Sequence, residues 1–94
     1  MIDVNSYFSG AVKSLAYTSA EGKSTVGVID PGEYEFSTSQ HETMVVIEGE
    51  LHALLPGKGE IWQSYLNGQS FEVEAGQSFK VKSHKQVSYL CKYR

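Results

Sequence analysis

Glu42 stands directly before an apolar, β-branched run, Thr43-Met44-Val45-Val46-Ile47. A carboxylate at the mouth of a buried strand can ligate a metal, act on a substrate or meet solvent, and the residues alone leave all three open. The three histidines, His41, His52 and His84, are widely separated, and no pair has the spacing of metal ligands. Cys91, the only cysteine, lies in an alternating apolar pattern and reads as a small buried hydrophobe rather than a nucleophile. It has no partner for an internal disulfide, which suits a reducing compartment.

The elements that must hold these groups are strands. Within residues 32–49, Tyr34 and Phe36 alternate with Glu33, Glu35 and Ser37, the period-2 signature of a strand with one buried face. A short polar corner follows. Residues 43–47 suit a mostly buried strand, closed by Glu48-Gly49. Upstream, residues 1–9 read as a lead-in segment packed by Tyr7 and Phe8. A strand over residues 10–18 then puts Val12, Ser14 and Ala16 on one face, with Lys13, Leu15 and Tyr17 opposite. Residues 19–23 form a hairpin turn and 24–30 the return strand. Downstream, residues 51–55 continue the second strand as a hairpin, and Pro56-Gly57-Lys58-Gly59 is a loop. Residues 61–65 carry the only tryptophan, Trp62, and Asn67-Gly68 marks a turn. Further strands fall at 71–73, 79–82 and 87–93. No run has helical periodicity, so the class is all-β, a sandwich or barrel with little or no helix.

Composition narrows the class of partner. Ninety-four residues make a single domain, 1–94, and 40% hydrophobic with 20% charged residues is ordinary globular material. A net charge of −3 opposes a nucleic acid polymer as partner, because phosphate backbones require clustered Lys and Arg. The first residues lack a charged region followed by an apolar run, and no stretch approaches the roughly 20 apolar residues of a membrane span. These features predict a cytoplasmic protein with no membrane partner. A barrel this small leaves open strand edges and apolar surface, which predicts a homodimer, with the segment around Tyr7 and Phe8 as its contact.

The pattern resembles the cupins, small jelly-roll β-barrels of the RmlC-like type. Their first motif places a glycine, two histidines one residue apart and a glutamate ahead of six residues and a second glycine. Glu42 through Gly49 matches its second half, whereas the histidine positions fall among Glu35, Phe36, Ser37 and Thr38. Their second motif, Pro-x-Gly-x-x-His, corresponds to Glu74-Ala75-Gly76-Gln77-Ser78-Phe79, with Phe79 in the place of the metal-binding histidine. A narrower resemblance runs nearly end to end. It is carried by Tyr7-Phe8-x-Gly10-x-Val12-Lys13-Ser14, Gly27-Val28, Gly32-x-Tyr34-x-Phe36-Ser37-Thr38, Glu42-x-Met44 and Gly49-x-Leu51. Trp62-x-x-Tyr65-x-x-Gly68-x-x-Phe71-x-Val73 and Ser88-Tyr89-Leu90-Cys91-x-Tyr93 complete it. This set is similar to the small bacterial pyrimidine/purine nucleoside phosphorylase family. The resemblance implies phosphate-dependent cleavage of purine and pyrimidine nucleosides to free base and ribose 1-phosphate, with broad base selection, no metal and no cofactor beyond phosphate as co-substrate.

Such a reaction makes the sugar oxocarbenium-like as the base departs, so it needs grips for phosphate, ribose and base rather than a redox centre. On the resemblance, Glu42 is assigned to ribose hydroxyls or charge stabilisation. Tyr34, Trp62, Tyr65 and Tyr89 are candidates for stacking on the base. Ser37, Thr38 and Gln40, on the polar corner, are candidate donors to phosphate or ribose, although Ser-Thr-Ser is also ordinary turn chemistry. Lys13 and Lys92 are the candidate phosphate cations, with a backbone N–H nest as the alternative. His41 departs from what the family shows at that corner and receives no catalytic role. The competing reading is a non-catalytic cupin module that binds a nucleoside or sugar phosphate; a metal-dependent oxygenase fits poorly with the missing histidines.

Overall fold

Alternation along the chain becomes two sheets facing one another. The computed structural model describes residues 1–94. Its strands are β1 (Asp3–Tyr7), β2 (Val12–Ser19), β3 (Gly22–Ile29), β4 (Gly32–Ser37), β5 (Glu42–Glu48), β6 (Leu51–Leu54), β7 (Gln63–Tyr65), β8 (Ser70–Val73), β9 (Ser78–Ser83) and β10 (Val87–Tyr93). One sheet has the order β1-β2-β3-β10-β5-β8, the other β4-β9-β6-β7, and every pairing is antiparallel. No helix is long and apolar enough to cross a membrane.

Each strand's inward positions supply the core. Val12, Ile29, Val46 and Val87 come from the six-stranded sheet and meet Leu51, Ala53, Phe79 and Val81 from the smaller one. Fully burying such a side chain contributes about 1.5–3 kcal/mol, so the alternation itself drives the sheets together. In β2 the expected division holds: Val12 and Ser14 are buried, while Lys13, Leu15 and Tyr17 face outward.

Residues 32–49 do not stay in one sheet. β4 belongs to the four-stranded sheet and β5 to the six-stranded one, and β6 returns to the smaller sheet instead of forming a hairpin with β5. Gly49 makes the return possible. Its φ is +115°, and a Cβ there would lie 3.2 Å from the Gln86 carbonyl oxygen and from Val87 Cγ2.

The first nine residues are more than a lead-in. Asp3–Tyr7 is an edge strand paired with β2 from Asp3 opposite Ala16 to Tyr7 opposite Val12. Its alternation is faint because an edge strand is exposed along most of its length. A short 3-10 turn, Phe8–Gly10, links it to β2, with Phe8 and Ser9 at φ of 54° and 57°. That left-handed geometry costs about 1–3 kcal/mol per non-glycine residue. Packing of the Phe8 ring on Tyr34 at 5.0 Å and on Phe36 at 5.5 Å offsets it. Within residues 61–65 only Gln63–Tyr65 pairs as a strand, and Ile61 is exposed because no neighbour reaches it. In β5, Met44 and Val46 are buried but Ile47 is exposed, because the outer face of this sheet is uncovered.

Candidate active site

β5 begins where β10 ends, with Glu42 directly opposite Tyr93. At that end of the sandwich the sheets part around a cavity of ≈ 220 Å³. Side chains two residues apart on a strand point the same way, so β10 presents Tyr89, Cys91 and Tyr93 to it in succession. β5 adds Glu42 and Met44 by the same rule, β2 adds Ser14, and β1 adds Tyr7. Phe36, Ser37 and Phe79 close it from the smaller sheet. The exposed members Tyr7 and Ser37, with half-buried Phe36 and Glu42, form the mouth; buried Met44, Phe79, Tyr89 and Cys91 form the floor.

Glu42 is the only carboxylate in the lining, and no lysine or arginine joins it. Burial pushes its carboxyl above the ordinary value of 4.5, opposed by a hydrogen bond from Cys91 and by the nearby His41 imidazole. Cys91 Sγ donates to Glu42 Oε1 at 3.4 Å. His41 is itself held by Glu72, Nε2 to Oε1 at 3.0 Å. Burial, with the Glu42 charge beside it, pushes the Cys91 thiol up to about 12. Burial also lifts the Tyr89 hydroxyl to about 12, with Cys91 adding to it and the Ser14 hydroxyl opposing. The Tyr93 hydroxyl is raised chiefly by burial and shares a hydrogen bond of 3.1 Å with Thr25 Oγ1. The wall is thus a set of neutral hydroxyls and a thiol around one acidic group, with aromatic and aliphatic surface between them. It can hydrogen-bond a polyhydroxyl ligand, receive positive charge at Glu42 and exclude water from the floor.

Of the residues assigned a site role from the sequence, Glu42, Ser37 and Tyr89 line this cavity. The others are elsewhere, each for a visible reason. Tyr34 is buried, its hydroxyl donating to the carbonyls of Asp30 and Pro31 at 3.0 and 3.1 Å. Thr38 is buried as a turn clamp: its hydroxyl donates to the Glu74 carbonyl at 2.6 Å and accepts from the Gln77 N–H at 3.0 Å. Gln40 is exposed on the corner. Trp62 lies under Lys82 Nζ, 4.1 Å from the ring centroid. Tyr65 packs on Phe71 at 4.8 Å and donates to Gln63 Oε1 at 2.8 Å. Lys13 and Lys92 each sit one position from an inward residue and so point out of the barrel, Lys92 toward Glu21 at 3.9 Å. Tyr7 faces the cavity, and Phe8 packs on Tyr34 and Phe36.

Ser14, Cys91 and Tyr93 are lining residues that sequence reasoning missed as site residues. A signal existed for each: Ser14 is a polar residue on the apolar face of β2, and Cys91 and Tyr93 share the parity of Tyr89. No group of three or more His, Cys, Asp and Glu side chains converges as a metal site. Phe79, which the resemblance sets at a cupin ligand position, is buried and stacked with Phe36 at 5.8 Å.

A family model described as pyrimidine/purine nucleoside phosphorylase matches residues 2–93. The chain belongs to the pyrimidine/purine nucleoside phosphorylase family. A protein of that name from Pseudoalteromonas atlantica is 52% identical over 93 residues, covering 99% of both chains. Among solved structures, a Vibrio parahaemolyticus protein of unknown function superposes with a TM-score of 0.94 at 40% identity, over 100% of this chain and 99% of that one. The Drosophila melanogaster CENP-C cupin domain superposes with a TM-score of 0.74 at 14% identity, over 99% of this chain and 75% of that one. This last likeness concerns the fold alone and makes it a cupin barrel. Phosphorylase-family membership and cupin architecture therefore meet in a chain whose cavity is lined by one carboxylate, Glu42, and by no histidine.

Proposed function

We propose that this protein cleaves purine and pyrimidine nucleosides with inorganic phosphate, releasing the free base and α-D-ribose 1-phosphate. The observation that carries this reading is Glu42, a single partly buried carboxylate among neutral hydroxyls, in a chain of the phosphorylase family. A phosphate oxygen attacks the anomeric carbon as the C–N bond breaks, and the bond's electron pair leaves with the base. The proton carried by the phosphate ends on that base. Glu42 accepts hydrogen bonds from ribose hydroxyls and stabilises the positive charge that grows on the sugar. Cys91 keeps that carboxylate oriented by its hydrogen bond. With no cation in the lining, Tyr7, Ser14, Ser37 and Tyr89 are the donors for phosphate oxygens, joined by backbone N–H groups.

Base breadth has a physical reason in cavity size. At ≈ 220 Å³ the enclosed space is below the roughly 300–1,000 Å³ of ordinary ligand pockets. The ribose fills it and the base lies at the mouth against Tyr7 and Phe36, where stacking accepts purines and pyrimidines alike. Activity on inosine and on uridine, a role in nucleoside salvage, a cytoplasmic location and a homodimeric state belong to the same proposal, as does independence from metal and cofactor. Incubating the purified protein with inosine or uridine, with and without phosphate, tests it by liberated base. Base release that requires phosphate and survives chelation is expected; release no greater than in the phosphate-free control sinks it.

A further inference from the structure

The Glu42 carboxylate accepts one hydrogen bond from the protein, and that bond comes from a thiol. Cys91 Sγ lies 3.4 Å from Oε1, and a thiol is a weak donor. A stronger donor stands nearer in the sheet. Tyr93 is the cross-strand partner of Glu42 between β10 and β5, and both side chains face the cavity. Directly opposed residues have Cβ atoms about 4.5–5.5 Å apart, which puts a phenol and a carboxylate within reach of each other. Here they do not meet. The Tyr93 hydroxyl crosses β10 in the other direction and shares its hydrogen bond with Thr25 Oγ1 of β3, at 3.1 Å.

Thr25 lies outside the cavity lining, opposite Cys91 on the neighbouring strand, and is 7% exposed. Tyr93 supplies the only hydrogen bond of that buried hydroxyl, and breaking it leaves a polar group unpaired. The consequence falls on Glu42. An ionised carboxylate offers about four acceptor sites, and here a weak donor occupies one. The others stay available to a ligand, with no phenol to displace. The titratable groups around Glu42 are Tyr89, Cys91 and Tyr93 of β10, Tyr7 of β1, and His41 at the start of its own strand, held by Glu72 of β8. The smaller sheet adds Phe36, Ser37 and Phe79, none of them titratable. Replacing Thr25 changes none of these groups chemically; it changes only where the Tyr93 hydroxyl points.

We infer that Thr25 is a positioning residue, which holds the Tyr93 hydroxyl away from Glu42 and so keeps the carboxylate oxygens open to a ligand's hydroxyls. That the ligand is a ribose rests on the proposed function; that Thr25 governs Glu42 does not, and the test has an arm for each. In Thr25→Val the phenol loses its partner and turns to Glu42, where its donation favours the ionised carboxyl. The Glu42 side-chain carboxyl carbon, followed by NMR against pH without substrate, is expected to titrate at lower pH in Thr25→Val than in wild type. Thr25→Ser keeps the hydroxyl and titrates as wild type does. Adding Tyr93→Phe to Thr25→Val removes the phenol and moves the titration back up. With inosine and phosphate, Thr25→Val is expected to lose about tenfold in kcat/KM, the worth of one hydrogen bond to a charged group, and the double variant to regain activity. A bond that only staples β3 to β10 would lower the melting temperature and leave the Glu42 titration in place, and that result overturns the inference. So does a titration displaced upward in Thr25→Val, one that Tyr93→Phe fails to reverse, or an unchanged kcat/KM. Thr25→Ala repeats the comparison where Thr25→Val fails to fold by circular dichroism. A wild type that releases no base refutes the phosphorolysis, and the substrate-free arm then decides on Thr25 alone.

Discussion

At Glu42, the burial that suits the carboxylate to a developing sugar cation also works against folding. Its pKa is raised in the folded state, so the folded protein binds a proton more readily than the unfolded chain. The cost is fully present above the raised folded value, fades as pH falls through it, and is gone below the ordinary 4.5. Glu42→Gln removes the charge and keeps an oxygen to accept from Cys91. Its melting temperature is expected to exceed that of the wild type at pH 8, with the gain shrinking toward pH 4; a lower melting temperature at pH 8 would show that the carboxylate's contacts outweigh its desolvation. Cys91 works on the same group from the other side. Its thiol, at about 12, stays protonated and donating, so folded protein resists iodoacetamide at pH 8 while unfolded protein is labelled. Cys91→Ala deletes a contact that lowers the Glu42 pKa. The acidic limb of the kcat/KM profile is therefore expected to move to higher pH, and an unmoved limb would remove Cys91 from the site's electrostatics.

At the scale of the element, β3 holds Tyr89 in place through the absence of a side chain. Tyr89 of β10 pairs across the strands with Gly27, and a Cβ at Gly27 would lie 2.7 Å from the Tyr89 ring and from the Lys13 carbonyl oxygen. The tyrosine can shift but the backbone of β2 cannot. Gly27→Ala is expected to destabilise the protein by about 1–3 kcal/mol in denaturant unfolding and to reduce activity by displacing Tyr89. Unchanged stability would mean that β2 and β3 separate more easily than their eight-residue register implies. The inward face of β10 was readable from alternation once Tyr89 was considered, because Cys91 and Tyr93 follow at two-residue steps. The outward position of Lys13 is equally readable, since it lies between inward Val12 and Ser14.

At the scale of the molecule, the strand pattern was legible and the partition of strands between sheets was not. An alternating strand looks the same whichever sheet it joins, so nothing local distinguishes β6 in a hairpin with β5 from β6 beside β9. β1 was hidden because an edge strand buries little, and residues 61–65 were overcounted because β-forming residues were present without a partner strand. Glu42 was legible through the spacing to Gly49, but a cavity assembled from seven strands is a property of the closed barrel, visible only once β1, β2, β3, β4, β5, β9 and β10 meet. The phosphorolysis proposed for that cavity depends on its Glu42 carboxylate. The most direct measurement is phosphate-dependent release of hypoxanthine from inosine by wild type and Glu42→Gln at equal concentration, with folding checked by circular dichroism. The folded variant is expected to lose at least about 100-fold in kcat/KM. A folded variant that releases base at the wild-type rate would contradict it.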